Sequence, residues 1–169
     1  IVWDFPEPTL YIPDFSLKTS VQNLIGSINI CKILLKVKSC KKIIVSGSCF
    51  EDYFTKVNAK KNDKLRYFVW AKNSLREYLF KESTFFNKEI IWLKYFFLYG
   101  QGQKSDSLIP SLINSLKNKI KINIRTPFFK NDFIHIHDAI EISLRILNHS
   151  KGNQIIDVGS GKLVPAWKV

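Results

Sequence analysis

The sequence predicts an α/β fold built around a parallel β-sheet. Short runs of apolar, β-branched residues such as Ile43–Val45 are typical of parallel strands that are buried on both faces. Between such runs, stretches of about ten residues or more carry apolar side chains at helical spacing. Strands that alternate with helices of this length indicate βαβ units, and therefore a parallel sheet with helices on its faces.

The helices follow from the spacing of the apolar residues. In Leu17–Val37 these residues recur every three or four positions, and Val69–Lys81 shows the same spacing. A third helix, Leu108–Leu116, tolerates Pro110 because this proline lies near the first turn. A fourth helix, from Asp138 to about Leu147, is predicted to begin with the aspartate as its N-cap, since a carboxylate accepts hydrogen bonds from the free N–H groups of the first turn.

Strands and loops account for the remaining segments. The predicted strands are Ile43–Val45, Ile90–Leu98, Ile120–Ile124, Phe133–Ile136 and Ile155–Val158. Polar residues between Glu51 and Lys64 predict a loop, and Gly159–Gly161 predicts a turn.

Composition and charge narrow the classes of function. Hydrophobic residues make up 46% of the 169 residues and charged residues 24%, a globular balance at a length that suits a single domain. The formal net charge of +12 is compatible with an anionic partner such as nucleic acid. However, the lysines are scattered along the chain and only four arginines occur, so nucleic-acid binding is the last-ranked hypothesis.

Location and completeness are further expectations. No apolar run reaches the roughly 18 to 20 residues that span a bilayer, so no membrane segment is expected. The cysteines at 31, 40 and 49 lack CxxC spacing, which favours reduced thiols in a cytoplasmic protein. The absence of methionine and the strand-like beginning Ile1–Trp3 lead us to expect an N-terminally truncated chain, a single incomplete domain of residues 1–169.

Five short motifs occur in one order along the chain. They are Asn23-Leu24-Ile25-Gly26-Ser27, Ser46-Gly47-Ser48-Cys49, Tyr99-Gly100-Gln101-Gly102-Gln103, Asn131-Asp132-Phe133-Ile134-His135-Ile136-His137-Asp138 and Asp157-Val158-Gly159-Ser160-Gly161. Together with the lysine at 72, this series resembles the extended short-chain dehydrogenase/reductases, the NAD-dependent epimerase/dehydratase family that modifies sugar nucleotides. The resemblance implies a Rossmann-type, doubly wound parallel sheet. Residues 1–100 would be the second half of its core, and 101–169 the substrate-region elements and the last core strands.

The resemblance also implies hydride transfer between NAD or NADP and a nucleotide-activated sugar. Such a reaction moves a proton at the reacting oxygen, and a phenol does this when a neighbouring ammonium lowers its pKa. By resemblance, Lys72 would bind the nicotinamide ribose and tune that phenol, Ser48 would hold the reacting oxygen, and Asn23 would support the cofactor. Each residue has a structural alternative: a strand-end hydrogen bond for Ser48, a solvated helix lysine for Lys72 and a satisfied helix amide for Asn23.

The family pattern has a tyrosine four residues before the lysine, and here that position is Phe68. A benzyl ring offers no proton, and loss of a general acid/base costs about 10²–10⁴ in rate. Tyr67 is the possible substitute, although one residue along a helix rotates the side chain by roughly 100°. Two hypotheses remain: an NAD(P)-dependent epimerase, dehydratase or reductase impaired by Phe68, and a non-catalytic binding or assembly subunit derived from the same family.

The expected partners are a nucleotide sugar and a second copy of the chain. By resemblance, Tyr99 and Asn131 would contact the substrate. Asn131 stands where the family has an arginine, and Lys130 supplies charge without the bidentate fork. The homodimer would form through Leu17–Val37 and Val69–Lys81.

Two kinds of binding site are not expected from the sequence. The Gly-rich dinucleotide fingerprint does not occur in the 169 residues, so this chain by itself is not expected to bind a dinucleotide tightly. His135 and His137 would face one side of a strand, but no third ligand stands out, so no metal site is predicted.

Overall fold

The computed structural model describes residues 15–52, 65–122, 124 and 126–169. The chain is a Rossmann-like α/β protein with a parallel sheet, as the sequence predicts. Its helices are α1 (Leu17–Lys36), α2 (Arg66–Phe86), α3 (Leu108–Lys117) and α4 (Ile136–His149). Its strands are β1 (Lys42–Ser48), β2 (Glu89–Tyr95), β3 (Phe97–Tyr99), β4 (Lys130–His135), β5 (Gln154–Val158) and β6 (Leu163–Pro165). Cys49–Asp52 and Ala166–Lys168 form 3₁₀ turns.

The chain divides into two compact units. The first unit comprises the described residues of Ile1–Lys94 together with Leu147–Asp157, and contains a sheet with the strand order β1-β2-β5. The second unit comprises the described residues of Tyr95–Ile146 together with Val158–Val169, and contains a sheet with the order β3-β4-β6. In the second unit, β3 pairs with β4 in parallel and β4 pairs with β6 antiparallel.

The core of the first unit lies between the helix pair α1–α2 and the strands beneath it. From α1, buried side chains including Leu24, Cys31 and Leu35 lie on one stripe at helical spacing. They pack with the buried stripe of α2, which includes Leu75 and Leu79, and with apolar residues of β1 and β2. Burial of about 25 cal/mol per Å² of apolar surface makes this packing the main favourable contribution to the fold.

Local chemistry sets the helix boundaries. The hydroxyl of Ser16 accepts a hydrogen bond from the Thr19 N–H at 3.2 Å and so caps α1. At the C-terminal end of α2, Asn87 adopts the left-handed conformation with φ 49°. The Nζ of Lys88 donates to the carbonyls of Val37 and Cys40 at 2.8 and 2.6 Å, which satisfies acceptors just beyond α1.

The predicted strand Ile90–Leu98 is in fact two strands, β2 and β3, which belong to different sheets. Tyr95 ends β2, and Phe96, which lies in neither strand, donates its backbone N–H to the Val158 carbonyl at 3.1 Å. The chain therefore changes its hydrogen-bonding partners in the middle of an unbroken apolar run, and no turn residue marks the change.

The predicted strand Ile120–Ile124 was wrong for the residues that are described there, 120–122 and 124, none of which is in a strand. The C-terminus of α3 is closed instead by Lys119 at φ 55° and by a hydrogen bond from the Ile120 N–H to the Ser115 carbonyl at 2.9 Å. Ile120 and Ile122 are exposed, so the alternating apolar pattern meets no packing partner that would select a strand.

Other boundaries also differ from expectation, and α2 begins three residues before the predicted Val69 and ends five residues after Lys81. Asp138 is not an N-cap, because β4 runs directly into α4 and the helix begins at Ile136, which places Asp138 inside the first turn. The Nδ1 atom of His135 accepts the His137 N–H at 3.3 Å, the role we had expected of the aspartate. The short strand β6 was not predicted, since three residues show too little periodicity.

Candidate active site

The first part of the site is the carboxyl end of β1. The strand ends at Ser48 and the chain turns at once into the 3₁₀ turn Cys49–Asp52. The Ser48 hydroxyl is half-buried and accepts a hydrogen bond from the Phe50 N–H at 3.3 Å. Its own proton is a donor for a further oxygen, which is the chemistry expected of a residue that orients a reacting hydroxyl or ketone.

Lys72 lies on α2 and its side chain reaches this strand end. Only 4% of the residue is exposed, and Nζ donates to the Ser46 carbonyl at 2.7 Å. Burial lowers the pKa of Lys72 to about 8, against the charge of Glu51, which acts to raise it. The lysine is therefore a buried ammonium beside Ser46–Ser48 and not a solvated helix residue.

Phe68, rather than Tyr67, faces this ammonium. The Nζ of Lys72 lies 5.6 Å from the centroid of the Phe68 ring, within the range of a cation–π contact, and the ring packs edge-on against Phe15 at 5.3 Å. The hydroxyl of Tyr67 instead accepts a hydrogen bond from Arg66 at 2.7 Å, and the guanidinium lies over its ring. In this arrangement the Tyr67 hydroxyl is bonded to Arg66 rather than to the lysine. The aromatic side chain beside the ammonium, Phe68, has no ionisable proton.

The sequence interpretation missed Glu51, which we had placed at the start of a polar loop. The residue is 1% exposed and lies in the 3₁₀ turn, where Oε1 accepts the Ser48 N–H at 2.6 Å. Trp92 Nε1 donates to the same carboxylate, and Arg76 forms an ion pair with its second oxygen. Burial raises the pKa of Glu51, while the hydrogen bond from Ser48, the charge of Arg76, the hydrogen bond from Trp92 and the charge of Lys72 lower it.

No spacing rule would have found Glu51, because its partners come from separate elements: β1, α2 and β2. The one available signal was Gly47. A Cβ atom built at this position would lie 2.3 Å from Nε1 of Trp92 and 2.6 Å from Oε1 of Glu51. Glycine is therefore required between the two serines for the indole and the carboxylate to approach the strand.

The other predicted site residues lie on α1 and in the second unit. Asn23 is half-buried on α1 in the first unit, and no hydrogen bond between described residues joins it to Ser48 or Lys72. Tyr99, Lys130 and Asn131 lie in the second unit. A cavity of about 460 Å³ in the second unit is lined by Tyr99 and Gln103, and one of about 310 Å³ by Asn131 and Gln103.

Within the second unit, the ring of His135 packs against Tyr99 with centroids 5.2 Å apart and lies 5.6 Å from the ring of His137. The part of the chain that the structure describes contains no group of three His, Cys, Asp or Glu side chains that could hold a metal ion. All three cysteines are free thiols. Every described helix is too short or too polar to cross a lipid bilayer.

Comparison with known proteins decides the family. The sequence profile described as the NAD dependent epimerase/dehydratase family matches residues 15–159. The chain belongs to this family. The match includes Ser48, Phe68 and Lys72, and it ends at the turn glycine Gly159.

Two curated proteins are similar to the chain over different lengths. CDP-abequose synthase of Salmonella muenchen is 32% identical over 74 residues, which are 43% of this chain and 25% of that protein. ADP-L-glycero-D-manno-heptose-6-epimerase of Brachyspira hyodysenteriae is 25% identical over 160 residues, which are 87% of this chain and 48% of that protein.

The fold is also similar to that of solved epimerases. UDP-glucose 4-epimerase of Thermotoga maritima, solved with UDP-glucose, gives a TM-score of 0.75 at 16% identity, over 93% of this chain and 55% of that one. The chain thus spans half or less of the length of the two curated relatives, and about half of this solved neighbour.

Proposed function

We propose that the chain contributes the reaction centre of an NAD(P)-dependent epimerase, dehydratase or reductase that acts on a nucleotide-activated sugar. The observation that carries this proposal is the buried ammonium of Lys72 at the carboxyl end of β1, next to Ser48 and facing position 68. Membership of the NAD dependent epimerase/dehydratase family supports the cofactor, and the relatives' names support the substrate class.

The side chains at this centre suit the nicotinamide end of the cofactor. The Lys72 ammonium is held at the carboxyl end of β1 by its hydrogen bond to the Ser46 carbonyl, and as a hydrogen-bond donor it would bind the ribose hydroxyls of the cofactor. NAD or NADP supplies the hydride chemistry when it is bound. Ser48 would donate its hydroxyl proton to the sugar oxygen at the reacting carbon and hold that oxygen in line for proton transfer.

Phe68 makes proton transfer the slow step of the proposed reaction. The buried ammonium would lower the pKa of a phenol at this position, but the benzyl ring has no proton to give. A water molecule or the substrate itself then has to carry the proton. We therefore propose an enzyme whose turnover is impaired by about 10²–10⁴ relative to a tyrosine at 68.

The test is the Phe68→Tyr variant, assayed at saturating NAD or NADP by chromatography of the sugar-nucleotide products from a panel of nucleotide sugars. We expect turnover to rise by about 10²–10⁴. Tyr67→Phe is the matched control and should leave the rate unchanged, because its hydroxyl is engaged by Arg66. A rate that responds to Tyr67→Phe and not to Phe68→Tyr would show that our assignment of position 68 is wrong.

A second candidate, a non-catalytic binding or assembly subunit, is favoured by the same phenylalanine. In that case the chain binds a nucleotide sugar without hydride transfer. Equilibrium binding of the panel, with no turnover even in Phe68→Tyr, would support this candidate and exclude the enzyme.

The family motifs also suggest substrate-binding residues in the second unit. Tyr99, Asn131 and Lys130 are proposed for this role, and the 460 and 310 Å³ cavities that Tyr99 and Asn131 line support it. Lys130 is exposed on β4 and offers a single ammonium to a phosphate. Asn23 is retained as a supporting residue of the cofactor site, from the family motif alone.

We further propose a cytoplasmic homodimer. Free thiols at all three cysteines support a reducing compartment. The dimer would use the outer faces of α1 and α2, where Ile30, Ile33 and Trp70 are exposed. Exposed apolar side chains at helical spacing are typical of a helix that packs against another protein surface.

A further inference from the structure

A buried carboxylate, that of Glu51, joins Ser48 of the proposed reaction centre to side chains of two neighbouring elements. Glu51 accepts the Ser48 N–H at 2.6 Å and the indole N–H of Trp92 at 2.9 and 3.0 Å, and it pairs with Arg76. Ser48 lies on β1, Arg76 on α2 and Trp92 on β2, so a single side chain joins three elements of the first unit. Such a carboxylate costs several kcal/mol to bury without partners, and here every partner is a donor or a cation.

Among the described residues, Glu51 in the 3₁₀ turn is the carboxylate whose charge acts on Lys72. Arg76 lies one turn further along α2. The neighbouring Asp52 is paired with Lys94 of β2 at 2.6 Å, and Lys94 also pairs with Asp157 of β5 at 2.9 Å. The charge of Glu51 thus acts on Lys72, while Asp52 and Asp157 both form ion pairs with Lys94.

We propose that Glu51 is the positioning residue of this centre: its carboxylate fixes the backbone at Ser48 and supplies the counter-charge of the buried Lys72 ammonium. The inference rests on the proposed function, since Ser48 and Lys72 are the reacting pair only there. Glu51 itself touches neither cofactor nor substrate in this account and acts through its two neighbours.

The carboxylate is suited to this role where an amide is not. Its two oxygens accept from Ser48, Trp92 and Arg76 together, whereas glutamine has one acceptor oxygen and would turn an NH₂ group toward a donor. Glutamine also carries no charge, so the Lys72 ammonium would lose its opposing anion. Glu51→Gln should therefore change the protonation of Lys72 as well as the hold on Ser48.

The experiment measures the pH dependence of amine acylation at Lys72 in the full chain, read by peptide mass spectrometry. Half-maximal labelling is expected near pH 8 in the unchanged chain. In Glu51→Gln the midpoint should move down by on the order of one pH unit, because an opposing charge is lost. Glu141→Gln changes an exposed glutamate that pairs with Arg145; it is the matched control and should not move the midpoint. An unchanged midpoint in a folded Glu51→Gln variant overturns the inference.

A second measurement needs no variant and covers the case in which Glu51→Gln does not fold. The Ser48 amide proton, followed by NMR as the pH falls, should shift as the carboxylate that accepts it becomes protonated. Because the pKa of Glu51 is raised, the midpoint of that shift should lie above 4.5. An amide resonance that does not follow such a titration also overturns the inference.

Turnover separates this inference from the proposed function. If Phe68→Tyr turns over and adding Glu51→Gln lowers kcat and shifts the pH profile with little change in KM, both stand. If Phe68→Tyr turns over and Glu51→Gln changes neither, Glu51 is not a positioning residue although the proposed function holds. If Phe68→Tyr shows no turnover with any substrate, the proposed function fails and the positioning role fails with it, whatever the acylation midpoint.

Discussion

Gly47 and Gly26 differ in what a methyl group would meet. At Gly47 it would overlap the Trp92 indole and the Glu51 carboxylate, whereas at Gly26, inside α1, no atom lies within 4 Å. Gly47→Ala should destabilise the chain by about 1–3 kcal/mol through overpacking. Gly26→Ala should stabilise it by about 0.5–1 kcal/mol, since glycine is a poor helix former. Urea unfolding of both variants checks the pair, and equal effects would contradict the close approach at Gly47.

Lys72 should also make the free energy of unfolding depend on pH. Its pKa is lowered from 10.5 to about 8, so between these values the unfolded chain binds more protons than the folded one. The free energy of unfolding from this group therefore rises with pH in that window, by about 3 kcal/mol in all. Cys31 acts oppositely, because burial raises its pKa from 9.0 to about 11 and its contribution falls between those values.

The measurement is therefore a difference between two proteins, with Cys31 present in both. The quantity to follow is the free energy of unfolding of Lys72→Met minus that of the unchanged chain. This difference should be larger below pH 8 than above pH 10.5. The gap should narrow by about 3 kcal/mol across the window. Lys81→Met, an exposed lysine of the same helix, is the control. If the gap stays constant with pH in denaturant titrations, Lys72 is not buried as an ammonium.

Residue types at the centre could be read from the sequence, but their contacts could not. The motif order pointed to Ser48, Lys72 and position 68, and helix geometry already argued that Tyr67 turns away. The buried charge of Glu51 could not be predicted, because its partners Arg76 and Trp92 are 25 and 41 residues away along the chain. Only the folded chain brings them together.

At the scale of elements, β4 is held to the turn that follows β5 by one aspartate. Asp132 is 7% exposed and accepts three hydrogen bonds, from the N–H and hydroxyl of Ser160 and from the N–H of Gly161, at 2.7 to 2.8 Å. A Cβ at Gly159 would lie 2.6 Å from its Oδ2. The Gly-Ser-Gly sequence thus serves a packing need of this turn.

Asp132→Asn should cost about 2–3 kcal/mol, because charged acceptors are the stronger ones and the amide turns a donor toward an N–H. Asp138→Asn, in the exposed first turn of α4, should cost at most about 1 kcal/mol through the helix dipole. Amide hydrogen exchange at Gly161 reports the loss directly. Unchanged protection there in Asp132→Asn would contradict the proposed link between β4 and the turn.

The helices were the more predictable elements. Apolar spacing gave α1 to within one residue at its end, since a long amphipathic stripe is decided within the helix itself. The break between β2 and β3 and the missing strand at 120–124 depend on which backbone partners a run finds. Those partners are distant in sequence, so a local pattern could not supply them.

At the scale of the whole molecule, association is the property most open to test. Ile33 is 65% exposed on α1 and lies on the stripe with Ile30, so a dimer through this face would bury both. Light scattering should then give twice the 19.7 kDa of the chain, and Ile33→Lys should give the monomer mass. Ile140→Lys, a similarly exposed isoleucine of α4, should remain dimeric. A monomeric unchanged chain would exclude the dimer.

Several lysine ammonium groups of the molecule are bonded to backbone carbonyls or carboxylates of the protein itself. Lys42 donates to the carbonyls of Leu147 and Ser150, Lys88 to those beyond α1, Lys72 to Ser46, and Lys94 is shared by two carboxylates. Ammonium groups held against the protein in this way lie further from a sulfonate resin than those of freely extended lysine side chains, and those paired with carboxylates are also partly neutralised. The chain should therefore elute from a cation exchanger at lower ionic strength than its lysine content suggests.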